Sequence, residues 1–351
     1  MFELKVEPSG ETISIQEDQT ILDSLLRAGL NVPYQCGHGL CSTCKVMVLD
    51  GEIDHGEASP FALLDFERDE GVTLACSATP RSDLVIEVEV ENDEDARLIP
   101  VQDFEGIVER MEMVSPDIKA VWLRLSQPLD FQAGQYINLS LPNIKVPRAF
   151  SIASPVSTPD LIELHVRLVE NGEATTYIHN KLAIGDRLDM TGPLGRFFVR
   201  KSRQSPCLFI AGGSGLSSPK SMVLDLFEEG FTQPIYLLHG TRTVSDIYYY
   251  DLFTNLQAQH DNFTYIPVPF KVEDEDKWEG AQGALHDVLD AQFNSNFSDY
   301  TAYLCGPPGM VEQCIKKLMR GRLFEKDIFT ESFLTLAEAD SVTRSKIFSR
   351  L

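Results

Sequence analysis

Three of the chain's seven cysteines lie in one short glycine-rich stretch, and their spacing constrains the fold more than any other feature. In YQCGHGLCSTCKVMVLDG, residues 34–51, they follow the pattern C-x4-C-x2-C, and a fourth cysteine comes 32 positions later. The four are Cys36, Cys41, Cys44 and Cys76. Thiols gathered on one loop need a backbone that turns sharply, and Gly37 and Gly39 permit such turns. The pattern therefore predicts a small module folded around a metal centre.

This spacing is typical of the plant-type [2Fe–2S] arrangement, so we expect the four thiols to be ligands of such a cluster. The alternative is a structural zinc site, but zinc sites usually combine two C-x2-C pairs, whereas Cys76 stands alone. The N-terminus MFELKVEPSGETISI does not look like a signal peptide, and no run of about 18 apolar residues predicts a membrane span. We therefore expect a cytoplasmic protein whose thiols stay reduced.

Acidic side chains are concentrated at the start of the chain. The net charge is −23, and residues 1–95 hold 21 Asp and Glu against five Lys and Arg. Such a surface repels phosphate, which argues against nucleic acid and anionic membranes as partners. The acidity either keeps the protein in solution or forms a docking surface for a basic partner.

Three domains are predicted from the changing pattern along the chain. Strand-like MFELKVE, ETISIQE and DLVIEVEV, the helical pattern of DQTILDSLLRAG and the helix-like SPFALLDFERDEG predict a small mixed sheet with the cluster loop over residues 1–92. The charged segment at 93–103 is expected to be a linker. Residues 104–201 hold regularly spaced strands, which predict a six-stranded antiparallel β-barrel. Strands alternate with helices over residues 202–351, which predicts an α/β domain with a parallel sheet.

A glycine turn between a buried strand and a helix marks the third domain. In FIAGGSGLSSPKSM the glycines would let a phosphate approach the backbone at a helix N-terminus. The residues concerned are Gly212, Gly213, Ser214 and Gly215. The pattern is not G-x-G-x-x-G, so alone it indicates no more than a tight connection or a phosphate site.

Taken together and in this order, RAFSIAS, GPLGRF, GGSGLSSPKSM and CGPPGM resemble the ferredoxin–NADP reductase superfamily. With the cysteine module in front, the whole chain resembles the reductase components of bacterial multicomponent monooxygenases, the phenol hydroxylase reductases above all. CGHGLCSTCKV, GEASPFALLDFERDEG and FQAGQYINLSLP carry the latter likeness. The resemblance implies a β-grasp-like ferredoxin domain, an FAD-binding barrel and an NAD-binding domain.

The family's R-x-[YF]-S motif holds FAD and matches residues 148–151. The resemblance implies that Arg148 pairs with the pyrophosphate, that Phe150 packs on the isoalloxazine and that Ser151 bonds near the flavin N5. By residue type alone, Phe150 would be a barrel-core aromatic and Arg167 a surface ion pair. The other FAD positions implied by the resemblance are Ala149, His165, Val166, Arg167, Gly172, Thr175 and Thr176.

The family places a cysteine beside the nicotinamide, which implies this role for Cys305, flanked by Gly306 and Pro307. By residue type alone, Cys305 is a core residue. The resemblance makes Ser151, Cys305 and Glu331 the catalytic residues. Phe333 matches a flavin-stacking aromatic with which many relatives end, although this chain continues to Leu351.

The segment TRTVSDIYY bears on nucleotide choice. Thr241 and Arg242 match the Ser-Arg pair with which NADPH-using relatives hold the 2′-phosphate, but the Lys that follows in those relatives is missing and Asp246 is acidic. A carboxylate accepts bonds from a ribose diol and repels a 2′-phosphate. We therefore expect NADH rather than NADPH, although Arg242 favours the latter.

The resemblance implies a reductase that passes electrons from NADH through FAD and the cluster to a di-iron oxygenase acting on phenol or related aromatics. Reductases of toluene, alkene or methane monooxygenases, and of Rieske dioxygenases, share these motifs and remain alternatives. A redox sensor without turnover is a third interpretation.

Overall fold

The computed structural model describes residues 1–30, 32–37, 39–88 and 93–333, without the side chain of Ser332. The chain divides into two compact units, one formed by residues 1–103 with 192–196 and the other, as far as the described residues go, by residues 104–191 with 197–333. No helix in the described ranges is both long and apolar enough to cross a lipid bilayer.

The first unit contains a five-stranded mixed sheet of order β2-β1-β7-β3-β5, with β4 and β6 as a separate short pair. Its elements are β1 (Phe2–Glu7), β2 (Glu11–Ile15), α1 (Ile21–Arg27), β3 (Lys45–Asp50), β4 (Ile53–Asp54), α2 (Asp65–Asp69), β5 (Val72–Leu74), β6 (Thr79–Pro80) and β7 (Leu84–Glu87). Strand β1 is antiparallel to β2 and parallel to β7, which is the predicted β-grasp-like arrangement. Helix α1 begins where the Oγ1 of Thr20 accepts a hydrogen bond from the amide of Asp23 at 3.2 Å.

The helix-like segment between Cys44 and Cys76 is mostly not a helix. Only Asp65–Asp69 is helical, and the preceding residues from Ser59 form turns. Ser59 donates its amide to the Gly39 carbonyl at 3.0 Å, and the Ser42 hydroxyl donates to the Ala62 carbonyl at 2.8 Å. The segment is thus tied to the cysteine loop, and these local bonds replace a longer helix.

The second unit begins with the predicted six-stranded antiparallel barrel, whose sheet has the order β11-β10-β13-β8-β9-β12. Its elements are β8 (Gln102–Met113), β9 (Ile118–Leu125), β10 (Tyr136–Leu139), β11 (Arg148–Ser151), β12 (Leu161–Arg167), α3 (Glu173–Asn180) and β13 (Arg187–Leu194). A bridge between Ile152 and Leu164 brings the two edge strands together, so the barrel is nearly closed. Strand β8 begins inside the segment expected to be a linker.

The rest of the second unit is the predicted parallel α/β layer, with strand order β16-β15-β14-β17-β18. Its elements are β14 (Cys207–Gly212), α4 (Ser217–Glu228), β15 (Ile235–Thr243), α5 (Tyr250–Gln259), β16 (Phe263–Lys271), α6 (Leu285–Gln292), β17 (Thr301–Gly306), α7 (Pro308–Arg320) and β18 (Ile328–Ser332). Strands β14 and β17 are buried along their whole length. From β14 the chain adds β15 and then β16 on one side of the sheet, and it then returns to add β17 and β18 on the other side of β14. A ligand crevice is expected where the strand order reverses in this way.

Candidate functional site

The four predicted cluster ligands lie together in the first unit as two pairs of thiols. Cys36 and Cys41 interact across the loop, and Cys44, just before β3, interacts with Cys76, just after β5. Hydrogen bonding with Cys36 lowers the pKa of Cys41 to about 5, and the bond with Cys44 lowers the pKa of Cys76 to about 7. The same bond and burial raise the pKa of Cys44.

Backbone amides point at these sulfur atoms. The amide of Gly39 donates to the Cys76 sulfur at 3.2 Å, and the amide of Leu40 to the Cys36 sulfur at 3.4 Å. Gly39 has a φ of +73°, and a Cβ there would lie 2.8 Å from the Ser77 hydroxyl, so only glycine fits without strain. Such amide–sulfur bonds orient and tune metal-bound thiolates.

Two pairs of thiols fit a binuclear cluster better than a single ion. In a [2Fe–2S] cluster four cysteines hold two irons. The donor set is therefore suited to the predicted cluster.

A second cluster of functional groups lies in the second unit, where the barrel meets the parallel sheet. The Glu331 carboxylate, on β18, accepts hydrogen bonds at one oxygen from Ser151 Oγ at 2.9 Å and from Ser218 Oγ at 2.8 Å. The Cys305 sulfur, opposite Glu331 on β17, lies 3.7 Å from the same oxygen. The structure thus brings the three predicted catalytic residues together, and adds Ser218 from the first turn of α4.

Burial governs the electrostatics of this centre. Glu331 keeps some exposure as a residue, but its carboxylate is enclosed, and burial raises its pKa against the lowering effect of the two serines. Burial, followed by the charge of Glu331, raises the pKa of Cys305, so this thiol stays protonated. The barrel and the parallel-sheet domain thus both contribute to one buried surface, shielded from water, whose thiol carries a proton.

The loops around this centre approach one another closely. A Cβ on Gly215 would lie 2.3 Å from the Cys305 carbonyl oxygen. Gly306 has a φ of +141°, and a Cβ there would lie 2.9 Å from the Gly212 carbonyl oxygen. Gly215 therefore permits packing between two loops, whereas a Cβ on Gly213 would meet nothing within 4 Å. Gly213 is the glycine of this turn whose surroundings leave room for a ligand.

The predicted FAD positions divide between two barrel strands and one helix. Strand β11 carries half-buried Arg148 and Phe150, exposed Ala149 and buried Ser151. The Arg148 guanidinium donates to the Val146 carbonyl at 2.5 Å. Buried Val166 and half-buried Arg167 end β12.

Helix α3 carries the predicted phosphate contacts. Gly172 precedes its first turn, where a Cβ would lie 2.7 Å from the Thr175 hydroxyl, so the backbone here admits no side chain. That hydroxyl accepts from the Val169 amide at 3.0 Å, which shapes the turn. Thr176 is exposed beside it. An eight-residue helix with an open glycine start suits an anionic group, so these residues are compatible with FAD.

His165, also a predicted FAD contact, has protein partners at both ring nitrogens. Its Nε2 lies 2.7 Å from Glu163 and its Nδ1 lies 3.2 Å from the Tyr248 hydroxyl. Glu163 in turn accepts from Lys220 Nζ at 2.7 Å, and all of these side chains are buried. Burial would raise the pKa of Glu163, but the bonds from His165 and Lys220 bring it to about 2. Sequence reasoning missed this network.

The predicted nucleotide residues line a cavity of about 300 Å³. Gly212, Gly213, Thr241, Arg242, Asp246 and Pro307 belong to its wall. Arg167, predicted as an FAD contact, also belongs to this wall. So do several residues that the sequence did not single out, among them Asp117, Phe270, His286 and Gln313. Ser214, at the glycine turn, is buried, and Phe333 donates its amide to the Gly306 carbonyl at 3.1 Å. The tail after Phe333 lies outside the described residues.

Three protein-family profiles match successive parts of the chain. They describe a 2Fe-2S iron-sulfur cluster binding domain over residues 4–81, an oxidoreductase FAD-binding domain over residues 105–199 and an oxidoreductase NAD-binding domain over residues 209–316. They confirm the predicted cofactors and, with the sheet topology, the predicted fold class.

Several relatives match the chain over nearly its whole length. The reductase component of phenol 2-monooxygenase from Pseudomonas sp. (strain CF600) is 50% identical over 351 residues, which is 100% of this chain and 99% of the relative. The phenol hydroxylase P5 protein of Acinetobacter pittii shows the same identity and coverage. The reductase subunit of an Amycolatopsis aromatic O-demethylase is 34% identical over 93% of this chain and 98% of its own length.

Solved structures agree with this relationship. The crystal structure of the Amycolatopsis reductase GcoB matches with a TM-score of 0.86 and 32% identity, covering 95% of this chain and 99% of that chain. The ferredoxin reductase of carbazole 1,9a-dioxygenase matches with a TM-score of 0.80 and 26% identity, covering 95% and 98%. From its domains and its full-length relatives, the chain belongs to the family of iron–sulfur flavoprotein reductase components that includes those of the bacterial phenol hydroxylases.

Proposed function

We propose that this chain takes electrons from NADH and delivers them to a di-iron oxygenase that hydroxylates phenol or a related aromatic compound. Family membership and the three cofactor domains support the reductase activity. Two relatives at 50% identity, both named for phenol hydroxylation, support phenol as the substrate of the partner.

The observation that carries the proposal is the convergence of Ser151, Cys305 and Glu331. One carboxylate oxygen of Glu331, on β18, lies 2.9 Å from the Ser151 hydroxyl of β11 and 3.7 Å from the Cys305 sulfur of β17. Catalytic carboxylates and thiols with raised pKa values are concentrated at functional sites. When bound, FAD supplies the conversion of a hydride into single electrons, and the cluster carries these one at a time.

The residues of the chain contribute position and proton control. Glu331 holds the Ser151 hydroxyl in one orientation, which fixes where the barrel can donate or accept a proton at that oxygen. Cys305, fully buried and protonated, fills the end of β17 without placing a charge there. A Cβ on Gly306 would lie 2.9 Å from the Gly212 carbonyl oxygen, so the ends of β14 and β17 pack closely at this point.

The direct test is anaerobic titration of the purified holoprotein with NADH. We expect the visible flavin and iron–sulfur absorbance to bleach, and subsequent addition of a phenol hydroxylase oxygenase component to yield catechol from phenol. A protein that fails to bleach is not a reductase. If it bleaches but drives only a Rieske dioxygenase, the reductase activity stands and the proposed acceptor is wrong.

A further inference from the structure

Arg242, the one basic residue in the predicted ribose-binding segment, is already engaged by two carboxylates. Its Nη2 lies 2.7 Å from Asp117 Oδ2 and 3.5 Å from Asp246 Oδ1. All three residues line the same cavity. The guanidinium stays at the mouth of the cavity, where its side chain is 66% exposed.

Asp117 reaches this cavity from the other domain. It lies in the turn between β8 and β9 of the barrel, and its carbonyl accepts a hydrogen bond from the Leu168 amide at 2.8 Å, just after β12. The barrel backbone therefore holds Asp117 in place, and its carboxylate projects toward the nucleotide domain. The ion pair with Arg242 joins the two domains at the cavity.

Asp246 is held by a different set of bonds. Its Oδ2 accepts from the Thr243 amide at 3.0 Å and from the Thr243 hydroxyl at 2.9 Å, which caps the short turn after β15. Only its other oxygen faces Arg242, at the longer distance. Asp117 therefore makes the shorter, better-placed contact with the guanidinium.

Two carboxylates around one guanidinium give these three side chains a net charge of −1. A ribose 2′-hydroxyl is neutral and can donate to a carboxylate, whereas a 2′-phosphate needs an unengaged cation. We propose that Asp117 is a specificity-determining residue, which rejects NADPH from the barrel side by occupying Arg242. This inference rests on the proposed use of NADH and explains how a site that contains an arginine can still prefer it.

The test replaces Asp117 with its neutral isostere. In Asp117→Asn, kcat/KM for NADPH is expected to rise about fivefold, because Arg242 loses its closer partner and can then pair with the 2′-phosphate in a solvent-screened site. kcat/KM for NADH should not rise with it, because a neutral ribose 2′-hydroxyl does not need the freed cation, so the NADPH-to-NADH ratio of kcat/KM should rise. The matched control is Asp160→Asn, which removes an exposed carboxylate bound to Arg124 at 2.5 Å on the same barrel. It should change neither value.

A second arm measures binding without turnover. Calorimetry with 2′-AMP should show tighter binding to Asp117→Asn than to the parent, and the gain should vanish in Asp117→Asn/Arg242→Gln, because the freed cation is then missing. An unchanged NADPH-to-NADH ratio in Asp117→Asn, or a gain that survives in the double variant, would overturn the inference. A parent protein that NADH does not bleach would instead refute the proposed function, while the 2′-AMP arm still tests Asp117.

Discussion

Ser218 offers the sharpest test of the proposed hydride-transfer centre, because its hydroxyl is one of two that hold the Glu331 carboxylate. The bond measures 2.8 Å, and Ser218 is fully buried. Ser218→Ala removes this donor and leaves Ser151 as the other. A hydrogen bond to a charged group contributes about 1.5–3 kcal/mol, and the neutral carboxyl keeps part of it. The ionised form should therefore lose about 1.4 kcal/mol, which is about tenfold in the acid dissociation constant.

Ser218→Ala is expected to raise the pKa of the Glu331 carboxyl. The Ser218 hydroxyl lowers the pKa of Glu331 against the larger effect of burial, so its removal must raise that pKa further. We expect the inflection due to Glu331 in the pH dependence of anaerobic bleaching by NADH to shift to higher pH in Ser218→Ala. Stopped-flow absorbance between pH 5 and pH 9 would measure it.

Two variants make this result interpretable. Glu331→Gln should abolish the inflection, which assigns it to this carboxyl. Ser217→Ala removes the neighbouring buried hydroxyl, which donates to the Ser214 carbonyl at 3.0 Å and not to Glu331, and it should leave the inflection in place. An inflection lost in Glu331→Gln but unmoved in Ser218→Ala would refute the role of Ser218.

Three further predictions concern the cluster, the loop packing and the acidic first unit. Cys41→Ser should lower the iron content and abolish electron delivery to the oxygenase while FAD stays bound and NADH still reduces it; hydroxylation at the parent rate would remove Cys41 from the ligands. Gly215→Ala should cost about 1–3 kcal/mol and slow reduction by NADH, because its Cβ would lie 2.3 Å from the Cys305 carbonyl, whereas Gly309→Ala, in helix α7 with nothing within 4 Å, should not lower the melting temperature. Electron delivery to the oxygenase should slow as salt rises if the acidic surface docks on a basic one, whereas bleaching by NADH should depend on salt much less; equal salt dependence of the two steps would argue against docking.

The sequence predicted best those features that are encoded locally. The cysteine spacing specifies how thiols can meet on one loop, and the alternation of strands and helices specifies a parallel layer. Helix α2 shows the limit of a local pattern. Hydrogen bonds between the cysteine loop and Ser59 and Ala62 hold the residues before Asp65 in turns, so most of the predicted helix does not form.

Residues whose role depends on a distant partner could not be found in this way. Ser218 lies 113 positions from the carboxylate that it binds, and Asp117 lies 125 positions from Arg242. Each is an ordinary serine or aspartate in its own segment, a helix start and a β-turn. Its chemistry arises only when the barrel meets the parallel sheet, which no local pattern encodes.

A buried network around Glu163 fixes the position of the barrel relative to the parallel sheet. Lys220 of helix α4 binds Glu163 of barrel strand β12 at 2.7 Å and the Ala153 carbonyl at 3.0 Å, while Tyr248 joins His165 to the glycine turn at Gly213. A buried pair is costly to break because the remaining charge is left unpaired, by about 3–5 kcal/mol. Sliding of the barrel against the sheet would break this pair. The network therefore fixes the contact between the barrel and the sheet, across which Ser151 meets Glu331 and Asp117 meets Arg242. These are the two places at which we propose hydride transfer and the selection of NADH.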